Sequence, residues 1–240
     1  MPDSMSDRYA RQEALPAIGK AGQKKLGEAT VTIVGLGAIG SHAAELLLRA
    51  GVHNLILIDD DMVELSNLQR QALYTEKDIG LMKADAIARH LQAIDGKARL
   101  GIHTKRMDEG NMDSLLPSMG RDAGRVVLDC TDNLETRYLI DARCKSKNIP
   151  WVHAACVGWW GEVKVFPSFS SSVRQKTYQD IFPDKKTPLG CVDAGVLNHA
   201  VAMTAAIQVG ETVKLILGEP PTEELMRINA WKHTIEKIRV

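Results

Sequence analysis

Cysteine is scarce in this 240-residue chain: four residues, at positions 130, 144, 156 and 191, with no C-x-x-C pair among them. That spacing suggests neither a zinc ribbon nor a disulfide-stapled scaffold. Net charge is missing as well, because 30 Lys and Arg face 30 Asp and Glu. A protein that grips nucleic acid or an anionic membrane by charge needs a basic surplus, so neither is expected as a partner. Long hydrophobic runs are absent. The least polar stretch, 194–210, is interrupted by Asn198, His199, Thr204 and Gln208, short of the about 20 apolar residues that span a bilayer. Residues 1–8 carry acids where a secretory signal would carry its apolar core. The seven histidines show no ligand spacing. No internal repeat or low-complexity tract occurs. The expectation is a soluble, cytoplasmic protein of a reducing compartment, long enough to fill a core as one domain.

What is present is alternation. Residues 31–34 form a short β-branched run that meets glycine at once, the mark of a buried strand. Ile39, Ala43, Leu46, Leu47 and Ala50 then recur at helical spacing, and Gly51 supplies the stop. Residues 55–58 read as a second strand, and Ala84, Ile87, Ala88, Leu91 and Ile94 as the face of a second helix. A strand at 126–128 precedes a helix begun by Leu134, Tyr138 and Ala142; 151–152 and 163–166 look like later strands. Such alternation predicts an α/β fold around a mostly parallel sheet covered on both faces. Residues 167–190 break the pattern with prolines, serines and scattered charge, a long irregular loop of the kind that is usually functional or disordered. A mostly apolar helix over about 194–217 and two short β-like segments, near 226–228 and 234–240, close the chain.

Gly35, Gly37 and Gly40 form G-x-G-x-x-G between the first strand and its helix. In that context the first glycine makes the tight turn, the second admits a phosphate, and the third lets helix pack on strand. Asp59 ends the second strand nineteen residues past Gly40, placed to accept from ribose hydroxyls. These features fit NAD, FAD or ATP equally. Beyond them, Asn67, Arg70, Gln71 and Lys83 offer orienting amides, a forked cation and a point charge, the provision a polyphosphate needs. Asp132, in Asp129-Cys130-Thr131-Asp132-Asn133, ends the 126–128 strand at the same edge. It would suit Mg²⁺ beside phosphates, or cap the next helix. Cys130, Cys144 and Cys156 read as buried small hydrophobes. Cys191, between the irregular loop and a helix, could present a stabilised thiolate. The pair Trp159-Trp160 reads as core or interface packing.

These pieces in this order resemble the MoeB/ThiF/HesA family, prokaryotic relatives of ubiquitin-activating enzymes. The matching segments are 8–12, the glycine loop with Asp59, 66–71, 80–83, 129–133 and 191–196, spread over nearly the whole chain. The resemblance implies a Rossmann-like doubly wound sheet, mostly parallel, with antiparallel strands toward the C-terminus. It implies one adenylation domain over 1–240, with a crossover loop at about 167–190. The expected activity is adenylation of the C-terminal glycine carboxylate of a ubiquitin-like or sulfur-carrier protein ending in Gly-Gly, using MgATP and releasing pyrophosphate. By position, Asp59 would hold ribose, Asn67, Arg70 and Lys83 would neutralise phosphates, and Asp132 would hold Mg²⁺. Arg11 matches an arginine that reaches the partner's ATP across a homodimer, and Cys191 a cysteine that in some members links to the carrier. The family's two C-x-x-C zinc pairs are missing here, as is a rhodanese-like domain, so no structural zinc and a separate sulfur donor are expected. Two other readings stay open: a nicotinamide-dependent oxidoreductase, and a non-catalytic subunit of a heteromeric activating enzyme.

Overall fold

A computed structural model describes residues 5–116, 124–167, 176–183 and 194–240. Cys191 and most of the 167–190 loop lie outside the described residues. The architecture is an eight-stranded mixed sheet in the order β3-β2-β1-β4-β5-β6-β7-β8. β1 (Thr30–Val34), β2 (Asn54–Ile58), β3 (Arg99–His103), β4 (Arg125–Asp129) and β5 (Trp151–Val157) run parallel. β6 (Trp160–Phe166), β7 (Leu225–Asn229) and β8 (Thr234–Ile238) follow antiparallel.

Helices cover both faces. One face carries α3 (Ala38–Arg49), α4 (Lys83–Ile94) and α8 (Asn198–Leu217), and their apolar stripes meet Val31, Ile33, Leu55, Leu57 and Leu128 in the larger core. The other carries α5 (Met112–Leu115), α6 (Leu134–Lys147) and α7 (Tyr178–Ile181) around Trp151, Phe166 and Tyr178. α1 (Met5–Glu13) and α2 (Gly19–Glu28) precede the sheet.

The expected strand–helix alternation is present within a residue or two over 30–147; β6 begins at Trp160, three residues before the expected 163, and α8 at Asn198, four residues after about 194. Three features depart from expectation. β3 has no apolar run because it is the edge strand: among the described residues it pairs only with β2, and it keeps Arg99 and Ile102 exposed. The β5–β6 hairpin is longer than expected, turning at Gly158 with φ +61°, and places Trp159 and Trp160 outside the core, 47% and 41% exposed. Finally, α8 does reach the length and mean hydropathy of a membrane-spanning helix. Yet it packs on the sheet and buries Thr204, Gln208, Glu211 and Thr212 there. Gln208 Nε2 donates to the carbonyls of Asp129 and Val152, at 3.0 and 2.9 Å, so this is a core helix.

Candidate nucleotide site

β1 leads to β2 and β3 on one side, whereas β4 and β5 lie on the other, so the strand order reverses between β1 and β4. Open α/β sheets bind ligands at the carboxyl ends of the strands at such a switch point. Here those ends carry the glycine loop, Asp59 and the 129–133 turn.

Two of the glycines are demanded by the chain itself. Gly35 has φ +86°, and a Cβ there would lie 2.7 Å from the Cys130 carbonyl oxygen; a Cβ on Gly40 would collide with the Gly35 carbonyl. Gly37 is different. A Cβ there would meet only Gln71 Nε2 at 3.6 Å, so the protein's own packing leaves it room. Gln71 is 6% exposed, and its Oε1 is buried without a hydrogen bond among the described residues. Open space at a glycine beside an amide donor fits a bound nucleotide whose phosphates approach the backbone closely.

Asp59 fastens this loop. Its Oδ2 accepts from Leu36 N at 2.6 Å and its Oδ1 from Asp61 N at 2.8 Å. An ionised carboxylate has about four acceptor positions, so capacity remains for ribose hydroxyls. Burial pushes the Asp59 carboxyl up, and the Lys83 ammonium and these two amides oppose the shift. Lys83 opens α4, is 6% exposed, and donates to Asp61 Oδ2 at 2.7 Å. Tyr74 closes the ring, its hydroxyl donating to Leu36 O at 2.8 Å. Sequence reasoning missed Asp61 and Tyr74; the only available signal for Asp61 was the run Asp59-Asp60-Asp61.

Asn67 and Arg70 sit on the segment after β2, Asn67 buried and Arg70 half-buried, each hydrogen-bonded within that segment. Asn67 Oδ1 accepts from Glu64 N at 3.1 Å, and Arg70 Nη1 donates to Ser66 O at 2.9 Å. Neighbouring His42 on α3 is held toward its neutral form, because burial lowers its pKa against a hydrogen bond with Arg70. Asp132 is exposed in the turn after β4. Asn133, not Asp132, caps α6, with Oδ1 accepting from Thr136 N at 2.9 Å. The Asp132 carboxylate has no partner among the described residues and is available for a hard cation.

Arg11 is not brought to this site. α1 is docked at the amino ends of the parallel strands. Tyr9 Oη lies 3.2 Å from His53 Nε2, just before β2, and Arg8 pairs with Asp95 at 2.8 Å, just after α4. A five-residue strand separates the two ends of the sheet, roughly 16 Å. An open cavity of 430 Å³ lined by Tyr9, Lys20, Lys24, His53, Lys97 and Arg99 also lies at that amino end, away from the nucleotide crevice.

Comparison with known proteins follows the same lines. Residues 9–240 match the family model described as the ThiF family. The chain is 36% identical over 238 residues to the sulfur carrier protein ThiS adenylyltransferase of Bacillus subtilis, covering 98% of this chain and 68% of that one. It is 32% identical to the molybdopterin-synthase adenylyltransferase of Haemophilus influenzae, covering 97% and 94%. Among solved structures, Escherichia coli MccB superposes with a TM-score of 0.79 at 21% identity, over 100% of this chain and 72% of that one, a likeness of fold.

Proposed function

The chain belongs to the ThiF family and is an adenylyltransferase of a sulfur-carrier protein; from that premise we propose a reaction centre made of Gly35, Gly37, Gly40, Asp59, Asn67, Arg70, Gln71, Lys83 and Asp132. The substrate is the C-terminal carboxylate of a small ubiquitin-like carrier ending in Gly-Gly, which attacks the α-phosphorus of ATP and displaces pyrophosphate. The observation that carries this reading is the open space at Gly37 beside the Gln71 amide, with Lys83 at the start of α4 and Asp59 at the end of β2 beside the same loop.

No general base is required, because the carrier carboxylate arrives ionised. The barrier is repulsion between anions together with alignment, and fixed cations relieve both. Asp59 holds the ribose. Lys83 exchanges its bond to Asp61 for a phosphate oxygen, and Arg70 turns from the Ser66 carbonyl to the phosphates. Asn67 and Gln71 orient them. Asp132 is assigned to Mg²⁺, which when bound would shield phosphate charge. The nicotinamide reading leaves Lys83, Arg70 and Asp132 without work and gives way to family membership. The complete set of residue types suited to polyphosphate also weighs against a non-catalytic subunit.

Further parts of the proposal rest on resemblance. Residues 1–240 act as one cytoplasmic adenylation domain in a homodimer, with Arg11 delivered to the partner's ATP. A separate protein donates sulfur. Structural zinc is not expected: Cys144 lies in one core and Cys130 and Cys156 in the other, on opposite faces of the sheet. Exposed Trp159 and Trp231, with ring centroids 6.3 Å apart, would serve the carrier-facing surface. A persulfide sulfur passed to Cys191 by that donor would displace AMP from the carrier adenylate and leave a reducible acyl disulfide between carrier and Cys191.

The test is carrier-dependent ATP–pyrophosphate exchange. Lys83→Ala and Asp132→Ala should abolish it with the fold intact by circular dichroism, whereas Cys191→Ser should retain exchange and lose the adduct. Near-parental exchange in both of the first two variants would sink the assignment.

A further inference from the structure

Behind the 129–133 turn lies a buried charged cluster that the proposed chemistry does not use. Asp129, His153 and Arg137 are 0%, 0% and 6% exposed. Asp129 Oδ1 accepts from Thr131 N at 3.0 Å and from Thr131 Oγ1 at 2.6 Å. Its Oδ2 lies 2.6 Å from His153 Nδ1, and His153 Nε2 lies 3.4 Å from Glu162 Oε1. Arg137 reaches the same turn from α6. Its Nη2 donates to Thr131 O at 2.6 Å, its Nη1 to Tyr178 Oη at 3.5 Å, and its Nε stands 3.6 Å from Asp129 Oδ2.

The amide, hydroxyl and carbonyl of Thr131 are therefore all held from within the core, one residue before Asp132. Stability alone does not call for such a cluster. Burying charges costs desolvation energy, and well-packed apolar residues often serve a fold as well or better. A guanidinium fork instead fixes direction, because its donors are rigid and planar. The same fork touches Tyr178, the first residue of α7, so it joins two segments that are far apart in sequence.

We infer that Arg137 is a positioning residue: it sets the Thr131–Asp132 backbone so that Asp132 meets the nucleotide-bound cation, and it links that turn to α7 through Tyr178. This rests on Asp132 facing MgATP, as proposed above. Groups that orient a metal ligand from behind typically matter about 10- to 100-fold for metal affinity or activity.

The experiment measures ATP affinity by equilibrium dialysis, in Mg²⁺ and in EDTA, for the parent, Arg137→Lys, Arg137→Met and Tyr178→Phe, with folding followed by circular dichroism. In Arg137→Met the gain in affinity that Mg²⁺ confers should shrink about tenfold or more, while affinity in EDTA stays at the parental value. Arg137→Lys keeps the charge beside Asp129 but not the fork, and should restore only part of the gain. It decides the matter if the Met variant does not fold. Tyr178→Phe should show a smaller loss of the same kind. A parental Mg²⁺ gain in a folded Arg137 variant would overturn the inference, an equal fall in EDTA would make Arg137 merely structural, and a parental Tyr178→Phe would remove the link to α7. A parent that binds MgATP yet shows no carrier-dependent exchange would defeat the adenylation reading and leave this one standing.

Discussion

Gly37 and Gly40 look alike in the sequence and differ in what they serve. Gly40 is locked by the chain, since a methyl group would drive into the Gly35 carbonyl. Gly40→Ala should therefore cost about 3 kcal/mol or more, at the upper end of overpacking. Gly37 begins α3 with open space around it, so Gly37→Ala should cost only about 1 kcal/mol while weakening ATP binding severely. Urea unfolding combined with ATP titration separates the two. Equal destabilisation, or parental ATP affinity in Gly37→Ala, would defeat this division of labour. Both glycines, Asp59 and Lys83 were legible because residue type and order alone suggest a phosphate loop. Asp61, Tyr74 and Arg137 were not. Each takes its meaning from a partner in space, such as Tyr74 Oη on Leu36 O, that no local pattern announces.

Elements reveal themselves when their apolar period matches their burial. β1 and α3 show that match, whereas β3 is a half-exposed edge that periodicity cannot distinguish from a loop. α8 misleads in the opposite direction, being apolar enough for a bilayer yet built around a buried amide. Gln208 donates to two carbonyls and accepts from Cys130 Sγ at 3.3 Å. Gln208→Leu should thus make the helix more apolar and the protein less stable, by about 2 kcal/mol, because buried carbonyls lose their donor. Unchanged stability in chemical unfolding would show that water or rearrangement replaces the amide. The β4–β5–β6 cluster adds a pH signature. Burial disfavours the His153 cation, but hydrogen bonds with Asp129 and Glu162 outweigh burial and hold its pKa above the ordinary value. A raised native pKa gives stability that is complete below the unfolded value, near about 6.5, and lost as pH rises through the native one. Unfolding free energy should therefore decline upward from about pH 6.5. In Glu162→Gln the decline should end at lower pH and be shallower; superimposable profiles would show that Glu162 does not support the cation.

At the scale of the whole molecule, the placement of α1 decides how Arg11 can act. Tyr9, Arg8 and Gln12 fasten α1 to His53, Asp95 and the Ala50 carbonyl, all at the amino ends of the parallel strands. That contradicts a freely swinging N-terminal segment, which the sequence alone would allow. It also leaves Arg11 exposed and separated from its own glycine loop by the length of β1. From this place we propose that Arg11 serves a nucleotide on another copy of the chain, as an arginine supplied in trans does in other phosphoryl-transfer sites. The expectation is a homodimer whose two reaction centres each borrow one cation. Arg11→Ala and Lys83→Ala homodimers should both be inactive in carrier-dependent exchange. When they are mixed and allowed to exchange subunits, one of the two centres in each hybrid regains both residues. Activity should rise toward a quarter of the parental level in a random mixture, since half the dimers are hybrids with one whole centre each, about what independent sites give. Native mass spectrometry confirms that hybrids have formed. Hybrids without activity would mean that Arg11 acts on its own chain after undocking α1, and an active Arg11→Ala homodimer would mean that it takes no part in the reaction.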